Sequence, residues 1–283
     1  MQSVTYPENF TAWRQLARDL LLAGIPPNEV IWQDKHQTSL FQEVPLPTIK
    51  GQLPRVPKAF VELASAVSCH RSDEQWSLLY SMLWRLTHGE KHLLSLLTDS
   101  EVHRVKAMAK QISRDIHKMH AFVRFRKVSE VNDREQFVAW FEPEHRIVRL
   151  TSSFFRKRFS GMDWSILTPD ECMHWDSQKI HFTKGVEKNQ APDSDTQDEL
   201  WRTYYRSIFN PTRLKIKAMQ SEMPKKYWKN LPEAEIIKEL IATSRATTEA
   251  MLERPVSPEK PAPKNAYLEK LKTLDAQPST PDV

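Results

Sequence analysis

His117 and His120 stand three residues apart in Arg114-Asp-Ile-His-Lys-Met-His-Ala-Phe-Val-Arg-Phe-Arg126. On a helix that spacing puts both imidazoles on one side, where they could relay protons, hold a metal or contact phosphate. A helix C-terminus also favours histidine and lysine through its dipole, with no further role. Acid–base chemistry would need both rings to face a pocket that holds a carboxylate. A metal would need more ligands: Glu142, Glu144, His145, Cys172, His174 and His181 are at hand, but no spacing among them matches a zinc or two-metal pattern. The expectation is therefore no metal and no cofactor, with His117 and His120 as the candidate catalytic residues. Arg124 and Arg126 follow on alternate positions of an extended stretch, which would send both to one face as phosphate contacts.

A second constellation is electrostatic. Between Trp201 and Lys229 eight basic residues oppose the single acid Glu222, and between Arg146 and Arg158 five basic residues meet none. Arg202 and Arg206 are one helical turn apart, Tyr205 shares the broad aromatic side with Trp201 and Tyr204, and Arg213 follows the Asn210-Pro211 break. Lys225, Lys226, Tyr227 and Trp228 close the segment. Cations interleaved with flat rings suit nucleic acid, because cations neutralise phosphates and rings stack on unpaired bases. Arg124, Arg126, Arg156, Arg158, Arg202, Arg206, Arg213, Lys225 and Lys226 are the candidate backbone contacts, and Tyr205, Tyr227 and Trp228 the candidate stacking residues. In the plainer alternative the rings are core and the cations line its rim.

Other chemistries lack their residues. With 5 glycines in 283 residues there is no Walker loop and no dinucleotide fingerprint, and Gly-x-Ser-x-Gly, His-Glu-x-x-His and Cys-x-x-Cys are missing. Cys69-His70 and Cys172-x-His174 could hold a nucleophile, but buried structural cysteine is the favoured reading. Two cysteines far apart suit a reducing cytoplasm. No stretch approaches the roughly 20 apolar residues needed to span a bilayer, so no membrane association is expected.

The elements that must position these residues follow from period and punctuation. Asn9 caps a helix carrying Phe10, Trp13, Leu16, Ala17 and Leu20 that stops near Gly24, and Val30-Ile31-Trp32 is a short strand. Pro57 opens a helix to about Cys69, Asp73–Leu86 forms another, and Asp99–Met119 carries Val102, Val105, Met108, Ile112 and Ile116 at helical spacing. The period then becomes two. Residues 121–126 and 137–141 alternate as strands, Val148–Phe159 is helical with Phe154, Phe155 and Phe159 on one side, and 165–175 and 179–182 read as two more strands. A helix over 196–209, a basic segment and a helix over 232–253 follow. The fold class is α+β: an N-terminal helical region, a small antiparallel sheet in the order strand-strand-helix-strand-strand, and a C-terminal helical region. The division is 1–119, mainly helical; 120–253, the α+β domain with its basic–aromatic helices; and 254–283, a proline-rich disordered tail.

Several long blocks carry a resemblance. Leu79-Leu-Tyr-Ser-Met-Leu-Trp-Arg-Leu86, the Arg114–Arg126 stretch, Trp164-Ser-Ile-Leu-Thr-Pro-Asp170, Tyr204-Tyr-Arg-Ser-Ile-Phe-Asn-Pro-Thr-Arg213 and Glu222-Met-Pro-Lys-Lys-Tyr-Trp-Lys-Asn-Leu-Pro-Glu-Ala234 resemble an uncharacterised bacterial family of DNA-metabolism or DNA-repair proteins. The resemblance runs from about Val4 to Glu253. It implies a chain encoded beside, or fused to, a family-4-like uracil-DNA glycosylase, with a radical-SAM DNA modification or repair protein as a companion. It brings no catalytic residues, and no glycosylase signature occurs in this chain.

Three readings follow: a DNA-binding accessory factor in repair, an enzyme acting on DNA through His117 and His120, or an adaptor that docks the glycosylase-like and radical-SAM partners. The first expects one contiguous basic face, and the third an exposed apolar patch.

Overall fold

The computed structural model describes residues 1–34, 54–131, 134–190 and 216–253. Strand β1 (Gln2–Thr5) leads into α1 (Phe10–Leu22), where extended Asn9 accepts a hydrogen bond from the Ala12 N–H at 3.0 Å and so satisfies one of the helix's orphan donors. Trp13, Ala17 and Leu20, at intervals of four and three, form its buried stripe. Gly24 takes φ 66°, a left-handed turn that an L side chain resists, and returns the chain to β2 (Val30–Gln33). β2 lies parallel to β1, which α1 permits as the crossover.

α2 (Lys58–Val67) buries Phe60, Ala64 and Val67, and α3 (Glu74–Thr87) buries Trp76, Leu79, Tyr80, Met82, Leu83 and Leu86. The polar ends of the large rings are satisfied: the Trp13 indole donates to the Trp76 carbonyl at 3.3 Å and the Tyr80 hydroxyl to the Ile25 carbonyl at 2.6 Å. α4 (Ser100–Phe122) starts at Asp99, whose carboxylate accepts from the N–H groups of Glu101 and Val102, each at 3.0 Å. The Arg85 guanidinium ties this start down by reaching Glu90, Asp99 and Glu101. α4 serves two hydrophobic clusters, giving Val102, Val105 and Met108 to the N-terminal one and Ile112, Met119 and Phe122 to the next.

The second cluster lies under a five-stranded sheet ordered β3 (Arg126–Val131), β4 (Arg134–Trp140), β5 (Asp163–Leu167), β6 (Glu171–Trp175), β7 (Ile180–Lys184). The α+β class and the helical flanks are as the sequence indicates. Three details are corrected. β4 and β5 pair in parallel, because α5 (Val148–Arg158) carries the chain back between them; the other three pairings are antiparallel. Residues 165–175 are two strands broken at Pro169, which has no N–H for a ladder, with Thr168 Oγ1 donating to the Glu171 carbonyl at 2.8 Å across the turn. Residues 121–122 belong to α4, since Met119 and Phe122 continue its buried stripe, and the strand begins only at Arg126.

Past the sheet come α6 (Ile216–Glu222), a 3₁₀ turn over Lys225–Asn230 and α7 (Ala234–Glu253). The 3₁₀ turn and the residue after it strap the second cluster by inserting Tyr227 and Leu231. No helix among the described residues is long and apolar enough to cross a membrane.

Candidate nucleic-acid interface

The face of α4 opposite its apolar stripe carries three cations flanked by two histidines. His103, Lys106, Lys110, Arg114 and His117 recur at intervals of three, four, four and three, and all are exposed. At 1.5 Å per residue the row is about 21 Å long. Of the acids around it, Asp115 is buried at 3% exposure, Glu101 is held by Arg85, and Glu222 of α6, which borders the same groove as Arg114 and His117, has Lys118 Nζ 3.8 Å away. Lys106 donates to the Leu94 carbonyl at 2.9 Å, a contact that leaves its charge uncompensated. Among the described residues no carboxylate pairs with Lys110 or Arg114.

One turn past His117 the row passes to α5. The His120 ring stacks on Phe154 at 3.8 Å and 19°, and stands edge-on to Phe155 at 5.7 Å. Phe155 is 1% exposed, whereas Phe154, 100° further back around the helix, is 37% exposed. Burial, with His117 nearby, lowers the His120 pKa. Arg156, Lys157 and Arg158 form the exposed last turn of α5, with no acidic partner among the described residues. Arg149, in the first turn of α5, is occupied by Glu171 at 2.6 Å and lies over the Phe182 ring. The exposed residues run from Lys106, Lys110, Arg114 and His117 on α4, through the His120–Phe154 stack, to Lys157 and Arg158 on α5.

The residues singled out by sequence divide. Arg158 lies on this surface, and Arg156 and Lys225 are exposed. Arg126 opens β3 opposite Val138. Arg124 turns inward, donating to Glu233 Oε1 at 2.8 Å and to the Ala121 carbonyl at 2.7 Å, so it locks the end of α4 to the start of α7. Lys226 pairs with Glu144, and burial lowers its pKa. Tyr227 is core: it stacks between Phe122 and Phe141 at 5.4 and 5.3 Å, its hydroxyl faces Asp115 at 3.5 Å, and burial and then the Asp115 charge raise its pKa. Trp228 is half-buried and donates to the Met223 carbonyl at 2.9 Å. Arg202, Tyr205, Arg206 and Arg213 lie outside the described residues.

The two histidines of the acid–base reading do not share a pocket. His117 borders a polar groove of about 450 Å³ between α4 and α6, with Ser113, Arg114, Lys118, Ser221 and Glu222. The carboxylate there, Glu222, has Lys118 Nζ 3.8 Å away. His120 is instead packed against aromatic rings. Among the described residues no three His, Cys, Asp or Glu side chains converge as a metal-ligand set.

The sequence reading missed a polar joint. His70, after α2, and His145, before α5, stack at 4.4 Å. Each Nδ1 accepts a backbone N–H, from Ser72 at 3.1 Å and Arg71 at 3.3 Å, which places the ring proton on Nε2 in both. His70 Nε2 then donates to Gln111 Oε1 at 2.7 Å, and the His145 backbone N–H donates to Asp115 Oδ2 at 2.8 Å. Burial, assisted by His70, lowers the His145 pKa, and burial raises that of Asp115 against its hydrogen bonds. No local spacing could signal this joint, since its partners are 30 to 74 residues apart. Nearby Cys69 has its pKa raised by burial, which disfavours a reactive thiolate.

Fold and surface together define an α+β protein with a basic helical face, in which His117 and His120 do not share a pocket. Residues 73–233, from α3 through the 3₁₀ strap, match the family described as a domain of unknown function, DUF4130, and the chain belongs to that family. No curated protein and no solved structure matches it.

Proposed function

We propose that this protein is a DNA-binding accessory factor in repair or DNA metabolism, working beside a uracil-DNA glycosylase-like protein and a radical-SAM companion. The observation that carries DNA binding is the row of exposed Lys106, Lys110 and Arg114 on α4, followed beyond the His120–Phe154 stack by exposed Lys157 and Arg158 on α5, none of them paired with a carboxylate among the described residues. Exposed cations in a row neutralise successive phosphates and release counterions. The partners rest on the family resemblance of the long sequence blocks.

The test is titration of labelled DNA by fluorescence anisotropy across a salt series. Affinity should fall steeply with salt, and Lys110→Ala with Arg114→Ala should weaken binding about tenfold or more at roughly 0.1 M salt while lowering the log–log slope by about 1 to 2. Absence of binding even at about 50 mM salt overturns the reading. It would favour the adaptor, for which the structure offers an apolar groove of about 180 Å³ between α1 and α2, floored by Ala17, Phe60 and Ala64 and edged by Arg14 and Arg18.

A further inference from the structure

We propose that Phe154 is a base-stacking platform, so that the α4–α5 face takes single-stranded DNA in preference to duplex. The proposal rests on the DNA-binding reading above and names the substrate class of that same surface.

Two adjacent phenylalanines on one helix cannot both face a core, because successive residues are 100° apart. α5 sends Phe155 inward against Phe125, Phe159 and Trp164, and leaves Phe154 outside. A single exposed apolar side chain is ordinary on a protein surface. Phe154 differs in how it is held. His120 lies flat against it at 3.8 Å and the Phe155 ring meets it edge-on at 5.2 Å and 87°, so the ring is fixed before any ligand arrives while over a third of it stays open. Lys157 and Arg158 stand one turn along α5, and Arg114 and His117 precede His120 on α4.

A pre-positioned ring beside cations is what unpaired nucleotides use. The base lies on the ring face and its phosphates reach the flanking cations, without a preference for which base. In a duplex the bases are already stacked and paired, and only their edges line the grooves, so the ring gains nothing from double-stranded DNA. The cations alone would bind both forms. The ring is therefore what separates them.

The experiment compares labelled oligothymidylate of roughly 15 nucleotides, the upper end of one binding fold's site size, with a duplex of equal length. Wild type, Phe154→Leu, Phe154→Trp and Lys157→Ala with Arg158→Ala are measured at one salt concentration, each checked for an unchanged thermal midpoint. Phe154→Leu keeps the apolar contact with His120 but removes the ring, so it tests stacking without relying on a cavity-forming change. Wild type should prefer the single strand. Phe154→Leu should weaken single-strand binding about tenfold and move duplex binding less than about twofold, and Phe154→Trp should keep the preference. The double variant should weaken both forms alike. Equal affinity for the two DNAs, or a Phe154→Leu variant that retains wild-type preference, overturns the stacking proposal and leaves DNA binding standing. Absence of binding to either DNA overturns both.

Discussion

The N-terminal cluster and the sheet-side cluster bury similar amounts of large apolar side chain but differ in the polar groups they admit. Around α1 to α3 the interior holds Trp13, Phe60, Trp76, Leu79 and Tyr80, with Ser3, Ser68 and Gln75 as its buried polar side chains and His70 at its edge. Around the sheet the interior includes Asp115, His145, Thr151, Thr168 and Glu233. The first cluster is built from helices close together in sequence, whose own ladders satisfy the backbone. The second gathers segments from α4, the sheet, the loop before α5 and the 3₁₀ strap, and its buried carboxylates act as pins. Asp115 holds the His145 backbone and faces Tyr227, and Glu233 holds Arg124. Apolar packing makes the first cluster stable; the second also depends on directional contacts that fix which remote segments meet.

That contrast can be broken experimentally. The largest effect should come from Trp76→Ala in the dry cluster. Trp76 is 1% exposed, and its loss leaves a cavity costing about 3–5 kcal/mol, read by urea denaturation. Next is Arg124→Met, which strands Glu233 at 3% side-chain exposure and should cost about 3 kcal/mol. Arg124→Met with Glu233→Met should recover most of that loss, because removing both charges leaves no orphan. If the double variant is as unstable as the single one, Glu233 is not a pin and the contrast fails. The smallest effect is acid sensitivity. His120 and His145 have folded pKa values below the ordinary 6.5, chiefly through burial, so the unfolded chain binds protons more readily and stability falls as pH drops below about 6.5. Asp115 acts oppositely. Its folded pKa lies above the ordinary 3.8, so its destabilising charge is relieved as pH falls through that raised value. Hydrogen exchange at pH 7 and pH 5.5 should therefore show protection lost first around His145 and the strap, while α3 keeps its protection; uniform loss would mean that the two clusters respond alike.

Much of this architecture was legible because it is written in short-range pattern. The Asn9 cap, Gly24, the prolines before α2 and the apolar stripe of α4 each act within a turn or two of where they stand. β1 was not legible: four residues paired in parallel with a strand beginning 28 residues later have no local signature. Ala121–Arg126 misleads because its alternation is equally compatible with Phe122 completing a helical stripe. At the site, the cationic end of α5 was visible as a run, but Lys106, Lys110 and Arg114 were not, because they align only once the helix turns them to one side. Tyr227 and Trp228 show the converse limit. Rings beside lysines suggest stacking, yet Phe122 and Phe141, remote in sequence, claim Tyr227 for the interior. Phe154, grouped by sequence with Phe155 and Phe159 on one side of the helix, proved to be the outward one.

α4 contains neither glycine nor proline over its 23 residues, and so runs as one uninterrupted rod of about 35 Å. In the DNA-binding reading this makes it a ruler. The gaps between its charges are set by helical pitch, so a strand lying along it must match that pitch or bend to it. A glycine inserted between Lys110 and Arg114 would rotate every later charge by 100° and take them off the line.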